Sequence, residues 1–411
     1  MQRIFRPCAC GERDRKDHFT EETAAGIMEL YFIVLTKEAG IMYVCDLHCD
    51  TLLEIWLSEL RNERLSLKDT GKAKEPLHID LKKMQKGGYL LQNFAIYADL
   101  HMPAASLSAG GTNPALVMPG EALSAAKKEE EAYADPWFQT MEMIRVFKEE
   151  MAANADLIGQ VLSFQDIEKN RKAGRLSAVL TTEEGGIIGG DPAKLDTLYD
   201  AGVRMMTVTW NYDNELGHPN RLPAGVREDF RNFYRFVPES GRGLTSVGKE
   251  AVARMEELGI IPDVSHLSDD GFYDVADIVK GPFAASHSNA RALCGCSRNL
   301  TDYMIRTVAE HGGVIGLNFC PSFVMEAEDE SRCFTSCEAL AAHARQIMNV
   351  GGREVIAFGT DFDGIPRRNL EIQNASMMQR PADYMLGHGF TMEEVEGLYY
   401  KNVLRLYREV L

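Results

Sequence analysis

Seven side chains able to bind a metal or move a proton fall at one recurring place in this 411-residue chain. His48, Asp50, Glu184, His266, His287, Asp361 and Asp363 each sit at or just past the end of a short apolar run. His48 and Asp50 form an H-x-D in V-C-D-L-H-C-D-T (44–51). In a strand, residues i and i+2 point to the same side, so one strand end presents an imidazole and a carboxylate together, a pair a divalent cation can use. Asp361 and Asp363 repeat that spacing in G-T-D-F-D-G (359–364). His266 lies in I-P-D-V-S-H-L-S (261–268) and His287 in A-A-S-H-S-N-A-R (284–291). In T-T-E-E-G-G (181–186) the two glutamates point to opposite faces, so only one of them looks toward the other ligands. Two neutral imidazoles, an H-x-D pair and a central carboxylate suit two zinc ions that share a glutamate. Such a pair holds a hydroxide nucleophilic at neutral pH and polarises a carbonyl oxygen, so the chemistry is metal-assisted hydrolysis.

Elements that could bring these residues together are legible as an alternation. Apolar runs suggesting strands occur at 42–47, 89–97, 177–182, 203–210, 259–264, 282–286, 313–319 and 355–360. Helical patterns lie between most of them. In 246–258, Val247, Ala251, Met255 and Leu258 recur at helical spacing, with Gly259 as the stop. Eight strands alternating with helices predict an α/β fold, a (β/α)8 TIM-type barrel whose ligand-bearing strand ends share one face. Two insertions, 98–157 after the second strand and 211–244 after the fourth, leave that face. Residues 1–41 have no clean periodicity and read as an N-terminal appendage; Met42 would begin the first strand, and 42–411 would form the barrel domain.

Composition narrows the function classes. A net charge of −17 argues against a nucleic-acid partner, and no run of eighteen apolar residues is present to span a membrane. The nine cysteines, mostly in or beside apolar segments, favour reduced thiols and a cytoplasmic location. Cys8-x-Cys10 and Cys294-x-Cys296 lack zinc-knuckle spacing, so no second, thiolate zinc site is expected.

From about Met42 onward the chain resembles the zinc-dependent membrane (renal) dipeptidase family, including its microbial members. The resemblance is carried by D-L-H-C-D-T, H-I-D-L-K-K-M-Q-K-G-G (78–88), E-G-G (184–186), G-L-T-S-V-G (243–248), D-V-S-H-L-S, S-H-S-N-A-R, S-R-N (297–299) and G-T-D-F-D-G-I-P. It implies two zinc ions per chain. His48 and Asp50 would hold one, His266 and His287 the other, and Glu184 would bridge them. Asp361 would be the acid/base, Arg298 would clamp the substrate's C-terminal carboxylate bidentately, and Asp363 would serve as a turn cap or outer support. The resemblance also implies a small dipeptide as substrate, including dipeptides with a C-terminal D-residue, and a homodimer.

The chain departs from the animal enzymes at Trp210 and Ile187, where those carry histidines. Indole N–H donates one hydrogen bond but cannot become cationic. Trp210 and Asn211 are therefore expected at the substrate, with Asn211 or His218 taking over the missing histidine's role. The expected activity is hydrolysis of free dipeptides. The alternative is a binuclear amidohydrolase acting on a non-peptide amide, lactam or ester.

Overall fold

The apolar runs are continuous rather than alternating because their strands are buried on both faces, between a filled barrel interior and an outer layer of helices. The computed structural model describes residues 41–411 apart from 64, 72, 74, 75, 99, 101–134, 221–241, 328 and 329. The appendage expected over 1–41 and large parts of both insertions lie outside the described residues.

The strands are β1 (Val44–Asp46), β2 (Tyr89–Ile96), β3 (Ile158–Gln160), β4 (Leu176–Thr182), β5 (Val203–Thr207), β6 (Ile261–Asp263), β7 (Ala284–Ala285), β8 (Val314–Leu317) and β9 (Ile356–Phe358). All pair in parallel. Their order is β2-β1-β9-β8-β7-β6-β5-β4-β3, and a further β2–β4 pairing closes eight of them into a ring. These eight coincide with the eight apolar runs, so the fold is the expected (β/α)8 barrel. The ninth, β3, pairs with β4 outside the ring and was not expected.

The outer helices include α1 (Thr51–Leu60), α2 (Leu81–Gly87), α3 (Pro136–Ala153), α4 (Phe164–Lys172), α5 (Lys194–Ala201), α6 (Ser246–Leu258), α7 (Asp269–Ile278), α8 (Asp302–Glu310), α9 (Cys337–Gly351) and α10 (Asn402–Val410). Most begin on a side-chain cap that satisfies an otherwise orphaned N–H. Thr245 accepts from Gly248 N at the start of α6, Ser268 from Gly271 N at α7, and Thr301 from Met304 N at α8. Helix α6 ends at Gly259, whose φ of 79° supplies the left-handed stop read from the sequence. Among the described residues no helix is long and apolar enough to cross a membrane.

Candidate metal centre

The C-terminal ends of β1, β4, β6, β7 and β9 bring His48, Glu183, His266, His287 and Asp361 into one buried cluster. Glu183 Oε1 lies 3.5 Å from His48 Nε2, 3.2 Å from His266 Nε2 and 3.4 Å from His287 Nε2. The Nε2 atoms of His266 and His287 are 3.0 Å apart, and the His48 and His287 rings stack with centroids 4.0 Å apart. Asp50 Oδ2 lies 3.6 Å from His48 Nε2, and Asp361 completes a group whose potential ligand atoms lie within 4.8 Å of one another. Ligands at zinc–nitrogen and zinc–oxygen bond lengths in a tetrahedron stand about 3.3 Å apart. Most of these separations match that edge. His48 Nε2 and Asp50 Oδ1, both buried, have no hydrogen-bond partner among the described residues. The donor set therefore fits divalent metal.

One expectation is corrected here. Glu183, not Glu184, faces the histidines. Glu184 caps the 3-10 turn Gly185–Ile188, accepting from Gly186 N at 2.5 Å, and also takes Trp210 N at 2.8 Å and the Asn214 amide. It ties the turn after β4 to the loop after β5 and points away from the cluster. The Gly-Gly that follows serves this packing rather than a close approach to an ion: a Cβ on Gly185 would stand 2.3 Å from Val208 O. The preference for Glu184 followed from matching E-G-G. The turn's need for a capping carboxylate is what separates the two glutamates.

Side chains that sequence reasoning passed over hold the cluster in place. On the β1/β9 side, Asp46 accepts from Thr360 N at 2.9 Å and Thr360 Oγ1 at 2.7 Å, locking the first strand to the last. Asp361 follows at φ 61° and Asp363 at φ 70°, left-handed conformations that non-glycine residues adopt mainly where surroundings impose them. Asn318, at the end of β8, donates from Nδ2 to Asp361 Oδ2 at 2.9 Å, while its Oδ1 accepts from Cys320 N at 2.6 Å. The amide is thus fixed with its donor toward Asp361. Asp363 accepts from Thr51 Oγ1 at 2.7 Å and His78 N at 2.6 Å, long-range bonds that tie its loop to the start of α1 and to the segment before α2. Gly364 is required by contact: a Cβ there would stand 2.0 Å from Asp50 Oδ2 and 2.5 Å from Asp361 Oδ1.

On the β6/β7 side, a second buried carboxylate, Asp263, takes Thr207, Ser265 and Ser286 hydroxyls, each at 2.6 Å. Ser286 Oγ is also 2.7 Å from His287 Nδ1, and Asn211 Oδ1 is 2.9 Å from His266 Nδ1. The one sequence signal for Asp46 and Asp263 was a carboxylate inside an otherwise apolar strand, shortly before a candidate ligand.

Burial in a poorly solvated cluster drives the titrations. It lowers His266 and His287 well below the usual imidazole range, with Arg298 and His48 adding to the effect, so both rings are neutral as metal ligation demands. Burial also disfavours charge on His48, but the Glu183 and Asp50 carboxylates outweigh it and raise that ring well above its usual value. Glu183 is raised well above the carboxylate range, first by burial and then by Asp50; Asp361 is pushed up to about 7 by burial. Three carboxylates crowd one buried space, a surplus of negative charge that cations relieve.

The remaining expected residues divide. Arg298 is buried, donating to the Ser265 carbonyl and, at 3.4 Å, to His287 O. Its charge acts on Asp361 and Glu183. Half-buried Trp210 sets its ring 6.1 Å from that of His266 and 4.8 Å from that of Tyr97, at the edge of the cluster. Asn211, expected at the substrate, directs its side-chain oxygen onto His266. His218 pairs with Asp213 at 3.1 Å.

Known proteins share this fold. The profile of the membrane dipeptidase family (peptidase family M19) matches residues 39–411. The chain belongs to that family. It is thus a metallopeptidase, a hydrolase of the dipeptidase class, as the family resemblance implied; the ligand set by itself had pointed only to metal-assisted hydrolysis. An uncharacterised protein of Klebsiella pneumoniae from the pqqA 5′ region is 31% identical over 276 residues, covering 67% of this chain and 97% of that one. An uncharacterised dipeptidase of Schizosaccharomyces pombe is 29% identical over 240 residues, covering 58% of this chain and 54% of its own. Among solved structures, a metallopeptidase of Rhodobacter sphaeroides liganded with a phosphinate mimic of the dipeptide L-Ala-D-Ala superposes with a TM-score of 0.72. It is 26% identical, and the match covers 90% of this chain and all of that one.

Proposed function

We propose that this dipeptidase hydrolyses free dipeptides, including those with a C-terminal D-residue, at a centre of two zinc ions. The observation that carries the reading is Glu183 Oε1, within 3.5 Å of three imidazole nitrogens and flanked by Asp50 and Asp361. His48 and Asp50 would hold one zinc ion, His266 and His287 the other, and Glu183 would take the shared position. When bound, the metal pair would supply a hydroxide nucleophilic at neutral pH and polarise the scissile carbonyl. Asp361, held by Asn318 and pushed up to about 7, suits the taking and returning of a proton at the cleaved amide. Arg298 would receive the substrate's carboxylate, which confines activity to short peptides. The Trp210 indole N–H would donate to substrate from the edge of the cluster. The R. sphaeroides neighbour's L-Ala-D-Ala mimic supports the tolerance of a D-residue. The seven cysteines among the described residues are all free and buried, in keeping with a reducing, cytoplasmic setting.

The deciding experiment measures hydrolysis of L-Ala-L-Ala and L-Ala-D-Ala before chelation, after it, and after zinc is restored. Cleavage that is lost with chelator and regained with zinc supports the proposal. Zinc-loaded protein that cleaves neither substrate overturns it in favour of a non-peptide amide.

A further inference from the structure

We infer that Asn211 and the pair Ser286–Asp263 are positioning residues for metal, each holding one imidazole as the tautomer whose Nε2 turns a lone pair toward Glu183. This rests on the reading of the cluster as a metal centre.

The argument is one of counting protons. Asn211 Oδ1 can only accept, and it lies 2.9 Å from His266 Nδ1, so Nδ1 carries that ring's proton and Nε2 does not. For His287 the decision passes through a serine. Asp263 takes Ser286 N at 2.8 Å, Ser265 N at 3.1 Å and the hydroxyls of Thr207, Ser265 and Ser286 at 2.6 Å, so every neighbour is a donor. Two oxygens 2.6 Å apart need a proton between them, and the Ser286 hydroxyl has one to give. Committed to Asp263 Oδ2, it leaves Ser286 Oγ to accept at 2.7 Å from His287 Nδ1–H. The nearby Ser265 hydroxyl, 3.1 Å from Ser286 Oγ, has its own proton on Asp263 Oδ1 and does not alter the count.

Both Nε2 atoms then face each other as acceptors at 3.0 Å. Without a cation that arrangement is repulsive; with one it is a preformed pair of ligands. The two supports differ in strength. Asn211 is a half-buried neutral amide on a loop, whereas Ser286 is buried and backed by a carboxylate, which raises the basicity of the imidazole it serves.

The test is zinc affinity, measured by chelator competition on metal-depleted protein, with circular dichroism as the check on folding. Ser286→Ala is expected to raise the zinc Kd about 10–100-fold, the range found for lost outer-shell partners. Asn211→Ala should raise it less. Ser286→Thr and Asn211→Asp, which keep the hydroxyl and the acceptor oxygen, should stay close to the parent. Folded alanine variants that bind zinc as the parent does would overturn the inference, as would Ala and Thr at 286 being equally weak. The Asn211 arm decides alone should the Ser286 variants fail to fold, since its loop is half-buried. A parent protein that takes up no zinc would bring down the metal reading itself, which separates that failure from this one.

Discussion

The two halves of the metal centre are built on different principles. The β6/β7 half offers two neutral imidazoles whose outer nitrogens are each occupied by a fixed partner, Asn211 or Ser286. The β1/β9 half offers carboxylates, Asp50 and Asp361, around one imidazole, and it is held by the Asp46 side-chain latch between strands, the Asn318 amide and two aspartates at positive φ. On the proposed reading both halves ligate, and the second would also carry the proton through Asp361. Orientation of a soft ring and confinement of a hard anion are separate problems, and the barrel solves each at a different pair of adjacent strands.

The largest effects should come from the residue that joins the halves. Glu183→Gln is expected to cost metal and activity together, at least as much as the about 10²–10⁴-fold attributable to lost acid–base catalysis. Glu184→Gln should retain bound metal, because its partners are Gly186, Trp210 and Asn214 rather than the histidines. Metal content by atomic absorption alongside kcat/KM distinguishes them, and a metal-free Glu184 variant would reverse the assignment.

Within the charged half, Asp361→Asn should keep its metal and lose about 10²–10⁴ in kcat. Asn318→Ala, which removes one hydrogen bond to that carboxylate, should lower kcat by about tenfold or somewhat more, with KM little changed. A rise confined to KM would show that Asn318 serves substrate binding instead. Arg298→Ala tests the substrate side: KM should rise for dipeptides with a free carboxylate and much less for their amides.

The smallest effect concerns stability on the imidazole side. His343 in α9 accepts from Ala290 N at 3.2 Å and pairs with Val324 O at 2.9 Å, tying down the loop that follows His287. Burial lowers its pKa below the usual 6.5. The unfolded chain therefore binds the proton more readily, and stability falls as pH drops through about 6.5, by at most about 1.4 kcal/mol per pH unit. Denaturant midpoints for His343→Gln should fall less between pH 7 and pH 5 than those of the parent. Equal falls would free His343 of this role.

How much of this was legible beforehand followed from what each residue does. The eight strands were readable because burial on both faces demands unbroken apolar runs, and the H-x-D and D-x-D pairs stood out at their ends. Glu183 was not separable from Glu184, since the choice depends on which carboxylate caps a turn against a loop thirty residues on. Asn318, Ser286 and Asp263 act only through other side chains, and a polar residue in a strand carries no mark of its partner. Asn211 was noticed for its loop, whereas its bond to His266 depends on a residue 55 positions on and left no local mark. β3 escaped because three residues with a single buried position leave too faint a pattern.

The Asp46 latch has a consequence for the order of events during synthesis. It joins positions 314 residues apart, whereas His266 and His287 are separated by only 21. A ribosome delivers both imidazoles within moments of each other, but the charged half waits for nearly the whole barrel. Because non-local pairing carries a loop-closure cost that is repaid late, the ring is expected to shut last at the seam that holds Asp361, the proposed proton-transfer group. A nascent or truncated chain lacking β9 would then hold the imidazoles without Asp361, so the proposed proton-transfer group would be in place only once the last strand has docked.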